Sequence, residues 1–438
     1  MRARFWGTRG SIAKAGASTL RYGGNTSCVE VTADDGTLIV LDAGSGIHEL
    51  GLSLMRANRG ARGTLLIGHT HWDHIQGFPF FAPLFVPEAQ WDVYAPGGRG
   101  HQIEVSLGAL MSPEHHPIEL DQLEARVRFQ DLAEGEFSIG GIRVVTQYLH
   151  HPALTLGYRF EADGQTLIYA TDHEPHSLHP LSGGPGARPI HHEDRRHVRF
   201  LEGADLVIHD SQYTLHDFPA RTGWGHAPAE RVVDYALAAG VRRLALFHHD
   251  PQHDDSTVDA IVARAGEWAQ KARKPPEVFA AAEGQEIDLA SESPQGNRAA
   301  PRGSALLSDE PRSASNILIV EDDADMRALV RAALDAPELR VLTASTGGEG
   351  LRLARAERPN LIVLDLSLPD GDGLEVCRAV RTGSDEVLRD VPILILTGSA
   401  PEEGALVEAF TAGATDFLIK PIKPTLLRAR VKGWLLRQ

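Results

Sequence analysis

The densest chemistry in this chain lies in six consecutive residues, HTHWDH, running from His69 to His74 directly after the apolar run Thr64–Gly68. In a loop leaving a strand, His69 and His71 can point to one side and grip one cation. Asp73 and His74, past the turn, can then face a second. Neutral imidazole is the commonest protein ligand for zinc and its neighbours. Two ions held a few ångströms apart can clamp both oxygens of an in-line displacement. The remaining histidines agree with this reading, because all 21 lie between His48 and His253. Imidazole-ligand chemistry is therefore confined to the first part of the chain.

Such residues need a scaffold, and the pattern around them supplies one. Short β-rich runs recur up to about Leu289: CVEVTA, TLIVLDAG, TLLIGH, IRVVTQYLH, TLIYATD, DLVIHDS and RLALFHH. Turns such as Asp34-Asp35-Gly36 and Asp163-Gly164 punctuate them, and a helical pattern covers Ala229–Ala239. Sheet and helix layers, an α/β fold, follow from the mixture. Several strands end in His or Asp, which gathers polar groups at strand tips. Residues 290–315, rich in Ser, Pro, Arg and Ala without periodicity, read as a flexible linker. From residue 316 to 438 five strand–helix alternations imply a doubly wound parallel sheet.

Composition excludes several classes. Of the 438 residues 42% are hydrophobic and 23% charged, ordinary globular usage that rules out a wholly disordered chain. A net charge of −16 disfavours a broad nucleic-acid-binding surface. No apolar run approaches the roughly 18 residues of a membrane span, and Met1 leads into RARFWGTRG without a signal-peptide core. Cys28 and Cys377 are too far apart in sequence to suggest a disulfide framework, so a reducing cytoplasm is expected. Both read as packing residues.

With HTHWDH in place, the first domain (1–289) resembles the metallo-β-lactamase-fold hydrolases, which implies an αββα sandwich. FWGTRGS, RYGGNTSCVEV and LDAGSG resemble the branch that holds ribonuclease Z and bacterial cyclic-phosphate phosphodiesterases. The resemblance implies a first metal site of His69, His71 and His151, with His150 as the alternative in LHHPALTLGY. It implies a second of Asp73, His74 and His248, with His249 as the alternative in RLALFHHDP. Asp172, in ATD, would bridge them. His226, in Gly225-His226-Ala227, resembles the histidine that faces the scissile phosphate, and with Asp73 completes the expected catalytic pair. Asp210 is expected to orient a ligand histidine. Zinc is the first expectation for the two ions, with manganese or iron as alternatives. His71 stands where flavodiiron relatives carry Glu, and Asp172 where many true β-lactamases carry Cys. The stretch Pro175–Arg199 reads as a lid whose Arg195, Arg196 and Arg199 reach phosphate, or as a surface insertion.

The last domain (316–438) resembles a two-component response-regulator receiver, a flavodoxin-like (βα)5 fold, through VEDD, LDLSLPDGDG, LTGSA and FLIKPI. The resemblance makes Asp365 the phosphoryl acceptor. It assigns Mg²⁺ to Glu321, Asp322, Asp365 and the backbone carbonyl of Ser367. Acidic groups meeting at strand tips repel one another without a cation, and hard oxygen ligands suit Mg²⁺. Thr397, Phe417 and Lys420 match the switch positions, and Lys420-Pro421 the Lys-Pro bond that is often cis. A final helix is expected over Thr425–Leu436, with no DNA-binding domain after it.

Together these readings imply a cytoplasmic dinuclear-metal phosphodiesterase acting on a cyclic nucleotide or related cyclic phosphate ester. A cognate histidine kinase or phosphotransfer protein would control it through Asp365, with a homodimer as one route of control. The alternatives are an RNA-processing nuclease of the same fold, with nucleic acid as substrate, and a non-catalytic protein whose binding is controlled by phosphorylation.

Overall fold

The computed structural model describes residues 1–97, 102–176, 191–290, 315–383, 385–389, 391–398 and 403–435. These fall into two compact units: Met1–Pro175 and residues 195–290 make the first, and His176, residues 191–194 and the residues from Ser315 onward make the second. Most of the expected linker, residues 291–314, lies outside the described residues.

Among the described residues the first unit contains two seven-stranded sheets. One holds β1 (Arg2–Gly7), β2 (Cys28–Thr32), β3 (Leu38–Leu41), β4 (Arg62–Leu66), β5 (Gln90–Pro96) and β6 (Arg126–Leu132) in sequence order. The other holds β7 (Gly135–Ile139), β8 (Ile142–Tyr148), β9 (Leu156–Ala162), β10 (Gln165–Ala170), β11 (Leu206–Asp210), β12 (Arg243–Phe247) and β13 (Glu277–Ala280). A last strand, β14 (Glu286–Asp288), returns to pair antiparallel with β1.

The sheets meet face to face. Phe5 of β1 lies 6.0 Å from Phe247 of β12, and Tyr94 of β5 lies 5.4 Å from Phe137 of β7. Full burial of a phenylalanine such as Phe5 stabilises by roughly 1.5–3 kcal/mol. The outer faces carry helices. Ile47, Leu50, Gly51 and Leu54 make one buried stripe of the helix Ile47–Arg56, packed with Val40, Leu65 and Trp91 of the first sheet. On the second sheet Val232, Val233 and Ala236 of the helix Ala229–Ala239 pack with Ile168, Val207 and Leu246. That helix ends where Gly240 turns left-handed, at φ 64°. The order of layers is thus αββα.

Strand direction is what builds a site. In the first sheet β3 to β6 run parallel, and in the second β10 to β13 do. Open parallel sheets place ligands at the carboxyl ends of their strands. Here those ends deliver Asp42 after β3, His69 after β4, Asp172 after β10, Asp210 in β11 and His248 after β12.

The second unit is a five-stranded parallel sheet in the spatial order second, first, third, fourth, fifth. Its apolar strands Ser315–Val320, Leu361–Asp365 and Ile393–Thr397 are covered on both faces by helices. Side chains of Asp323, Thr346 and Asp372 cap the first turns of three of those helices. The final helix runs Pro424–Leu435, and Lys420-Pro421 is cis. This is the doubly wound receiver fold.

Candidate active site

The short helix Trp72–Ile75, which His71 precedes, turns the HTHWDH loop so that its ligand-type side chains split into two groups. His69, His71, His151 and Asp172 offer atoms within 4.8 Å of one another, and so do Asp73, His74 and His248. In the first group His71 Nδ1 lies 3.1 Å from His151 Nε2. In the second, His248 Nε2 lies 3.2 Å from His74 Nε2 and 3.1 Å from Asp73 Oδ2. Asp172 stands between them. Its Oδ2 is 3.5 Å from His69 Nε2 and 3.7 Å from His151 Nε2, while its Oδ1 is 3.2 Å from His248 Nε2 and 3.4 Å from His74 Nε2.

Each histidine pair resolves one way. His150 directs Nδ1 to the carbonyl of Glu174 at 2.8 Å, and His249 directs Nε2 to that of Ala281 at 3.0 Å. His151 and His248 are the members whose rings enter the cluster.

This donor set fits divalent cations. His69 buries both ring nitrogens without a hydrogen bond, as His248 does its Nδ1. Imidazole nitrogens 3.1–3.2 Å apart repel if both present lone pairs, so a proton or a cation must lie between them. Burial above all, with the neighbouring imidazoles adding to it and Asp172 opposing, pushes His69 well below its ordinary range and His151 down to about 3. His74 is also lowered by burial, but Asp73, Asp42 and Asp172 outweigh this and hold it well above the usual value. Burial likewise raises Asp172, yet the surrounding imidazoles, His248 foremost, bring it well below the carboxylate range. The carboxylates thus set up a field that favours positive charge at the strand tips.

The supporting residues were only partly visible in sequence. Asp42, left without a role in LDAGSG, accepts from His74 Nδ1 at 2.7 Å, the Gly68 amide at 2.6 Å and the Tyr169 hydroxyl at 2.6 Å. A buried strand ending in Asp was the available signal. The GTRGS and GGNTS segments support ligand-type residues and loops. The Ser11 amide donates to Asp73 Oδ2 at 2.7 Å, and a Cβ on Gly10 would come within 2.4 Å of the His248 ring. The fully buried Arg9 anchors that loop to the carbonyls of Gly23, Asp250 and His253. Thr26 Oγ1 accepts from the Ser45 amide at 2.8 Å.

Asp210 departs from its expected role. Among the described residues it bonds none of His69, His71, His74, His151 and His248; its Oδ2 lies 3.1 Å from His226 Nδ1 and accepts from the amides of Ala227 and His173. The reason is topological: β11 delivers Asp210 beneath the loop Gly223–His226, whereas the carboxylate under His74 comes from β3. His226 itself faces the cluster, with Nδ1 3.9 Å from Asp172 Oδ2. Burial lowers its pKa, but Asp210 reverses this and brings it up to about 9. Glu174 accepts from the amides of Gly223 and Gly225 and fixes the same loop.

Of the expected lid, residues 177–190 lie outside the described residues, and His192–Leu201 is a helix. Arg196 in that helix pairs with Glu134, so its guanidinium already has a carboxylate partner. Four of the eight non-glycine residues with positive φ among the described residues are Ser11, Asp42, Asp172 and His248. Backbone strain of this kind gathers at functional sites.

In the second unit Glu321, Asp322 and Asp365 meet within 4.8 Å at the strand ends, with Asp322 exposed. Lys420 Nζ lies 2.9 Å from Glu321 Oε2 and 3.1 Å from Asp365 Oδ2. Burial and then Asp365 raise Glu321, while both acids raise Lys420 against the effect of its burial. Thr397 ends its strand and its carbonyl accepts the Lys420 amide at 2.7 Å. Ser367 is exposed just after Asp365, and Phe417, half-buried, lies 6.1 Å from Phe410.

Fold and constellations together define an αββα domain with a two-group His/Asp centre, joined to a receiver. Residues 37–249 match the β-lactamase superfamily domain and residues 317–432 the response regulator receiver domain. The KDP operon transcriptional regulatory protein KdpE of Escherichia coli is 42% identical over 123 residues, 28% of this chain and 52% of KdpE. The alkaline phosphatase synthesis regulatory protein PhoP of Bacillus subtilis is 40% identical over 121 residues, 28% of this chain and 48% of PhoP. The chain spans about half the length of these curated relatives. Among solved structures, the metallo-β-lactamase fold protein YhfI of Bacillus subtilis is 16% identical, with a TM-score of 0.46 over 65% of this chain and 98% of YhfI. Among the described residues no helix is long and apolar enough to cross a membrane.

Proposed function

We propose that this chain is a dinuclear-metal phosphodiesterase of the cytoplasm. Its substrate in this reading is a cyclic nucleotide or related cyclic phosphate ester, and phosphorylation of Asp365 regulates it. The observation that carries the reading is the convergence, buried except at His71, of His69, His71 and His151 on one side of Asp172 and of Asp73, His74 and His248 on the other, with His226 alongside.

His69, His71 and His151 would hold one divalent ion and Asp73, His74 and His248 the other, with Asp172 shared. Bound ions of this kind supply Lewis acidity and an activated water. The chain's own residues then do three things. Asp42 and the Gly225 carbonyl fix the His74 and His151 rings through their Nδ1 atoms, leaving Nε2 towards the centre. Asp210 holds Nδ1 of His226, so that Nε2 can carry a proton to the departing oxygen. His71, the exposed member of the first group, marks the side from which substrate enters. In the receiver, Asp365 takes the phosphoryl group from a histidine kinase or phosphotransfer protein. Glu321, Asp322, Asp365 and the Ser367 carbonyl would hold Mg²⁺ there, and Thr397, Phe417 and Lys420 would respond to the phosphoryl group.

The test is direct. Purified full-length protein should contain close to two transition-metal ions per chain, read by elemental analysis, and hydrolyse bis(p-nitrophenyl) phosphate and then members of a cyclic-nucleotide panel. Asp172→Ala should lose metal and activity together. One ion per chain with full activity would overturn the two-metal reading, and no hydrolysis by metal-replete protein would overturn the enzyme reading.

A further inference from the structure

The chain has six tryptophans, and the structure uses them unequally. Trp6, Trp91, Trp268 and Trp434 each donate the indole N–H to a carboxylate or carbonyl, and none is more than half-exposed. Among the described residues Trp72 and Trp224 make no indole hydrogen bond, ring contact or cation–π contact, and they are 63% and 61% exposed. Leaving two large indoles in water forgoes the stabilisation their burial would bring.

Their placement is specific. Trp72 follows His71, the exposed ligand-type residue of the first group. Trp224 precedes Gly225, whose carbonyl bonds His151 Nδ1 at 2.9 Å; a Cβ on Gly225 would lie 2.1 Å from that atom. His151 Nε2 in turn lies 3.1 Å from His71 Nδ1. The two exposed indoles therefore flank residues of the centre along the chain, one residue from the exposed His71 and two from His226, on segments that His151 connects through its two ring nitrogens.

Resting on the phosphodiesterase reading, we propose that Trp72 and Trp224 form the substrate's base-binding subsite, stacking a nucleobase while its phosphate lies at the His/Asp centre. Aromatic faces bind any base through its π-face, and the N–H edges left open add a donor. A net charge of −16 opposes a long polynucleotide, so the occupant is the base of a mononucleotide.

The test uses full-length protein and two probes: adenosine 2′,3′-cyclic phosphate, and methyl riboside 2′,3′-cyclic phosphate, which lacks the base. Wild type should favour the base-bearing probe by roughly 5- to 150-fold in kcat/KM. A Trp72→Ala/Trp224→Ala double variant should lose that ratio, and a Trp72→Phe/Trp224→Phe variant should keep most of it. Adenosine monophosphate should quench wild-type indole fluorescence saturably, and the alanine variant much less. A ratio near one in wild type, or an unchanged ratio in the alanine variant, overturns the subsite. Tryptophans that alter only the association state of the protein would also overturn it, assigning them to a protein contact. If wild type hydrolyses neither probe, the phosphodiesterase reading fails, and the quenching experiment judges stacking by itself.

Discussion

Both units set their reactive groups at the carboxyl ends of parallel strands, yet they treat them differently. In the first unit the groups are closed in: His74 is tied to Asp42, His151 to the Gly225 carbonyl and His226 to Asp210. Three of the centre's acidic and histidine residues, Asp42, Asp172 and His248, hold positive φ. In the second unit the only non-glycine residue with positive φ among those described is Arg358, outside the acidic cluster. Asp322 there is exposed, and Lys420 pairs with Glu321 and Asp365. The difference matches the proposed roles. A centre that must present one fixed geometry gains from clamped side chains. A carboxylate that must gain and lose a phosphoryl group needs access and a counter-charge that can shift.

Three experiments press on this contrast, the largest effect first. His226→Ala removes a group proposed to act on the departing oxygen and placed outside the proposed ligand set. Metal content should stay near wild type while turnover falls by roughly 10²–10⁴. The fall should be smaller for p-nitrophenolate leaving groups, which need little protonation; equal loss for good and poor leaving groups would remove His226 from that role. Asp42→Asn loosens a clamp instead. It should weaken metal affinity by roughly 10- to 100-fold in a chelator competition while leaving the fold intact by circular dichroism. Unchanged affinity would mean that the clamping described for the first unit is decorative. Least in size is the response of the second unit. Beryllofluoride with Mg²⁺ should change phosphodiesterase rate or dimerisation by about fivefold or more, and Asp365→Asn should abolish the change. If Asp365 is modified and neither quantity moves, the receiver does not regulate this enzyme.

The contrast also separates what sequence could convey. HTHWDH is contiguous and follows a buried strand, so four ligand-type residues were readable from a single loop. The receiver pocket was readable for a similar reason, since Glu321, Asp365, Thr397 and Lys420 each sit at or just past the end of an apolar strand. His150 against His151 was not, because neighbouring residues at a strand end differ only in which way the backbone turns. Asp42 escaped notice because it acts through His74. Asp210 was recognised as a strand-end carboxylate but matched to the wrong imidazole: sequence shows that a strand ends in Asp, and topology alone decides which loop crosses above it.

The left-handed residues carry a last consequence, for how this chain would evolve or be engineered. A non-glycine residue in that region costs of order 1–3 kcal/mol, and Ser11, Asp42, Asp172 and His248 all adopt it. Set against a typical net stability of roughly 5–15 kcal/mol, these four positions are where glycine or asparagine would most readily make the fold more robust. Selection for heat resistance alone would therefore erode the centre first. A lineage that keeps Asp and His at these strand ends is accepting a weaker fold, and that persistence would itself be a sign that the chemistry is in use.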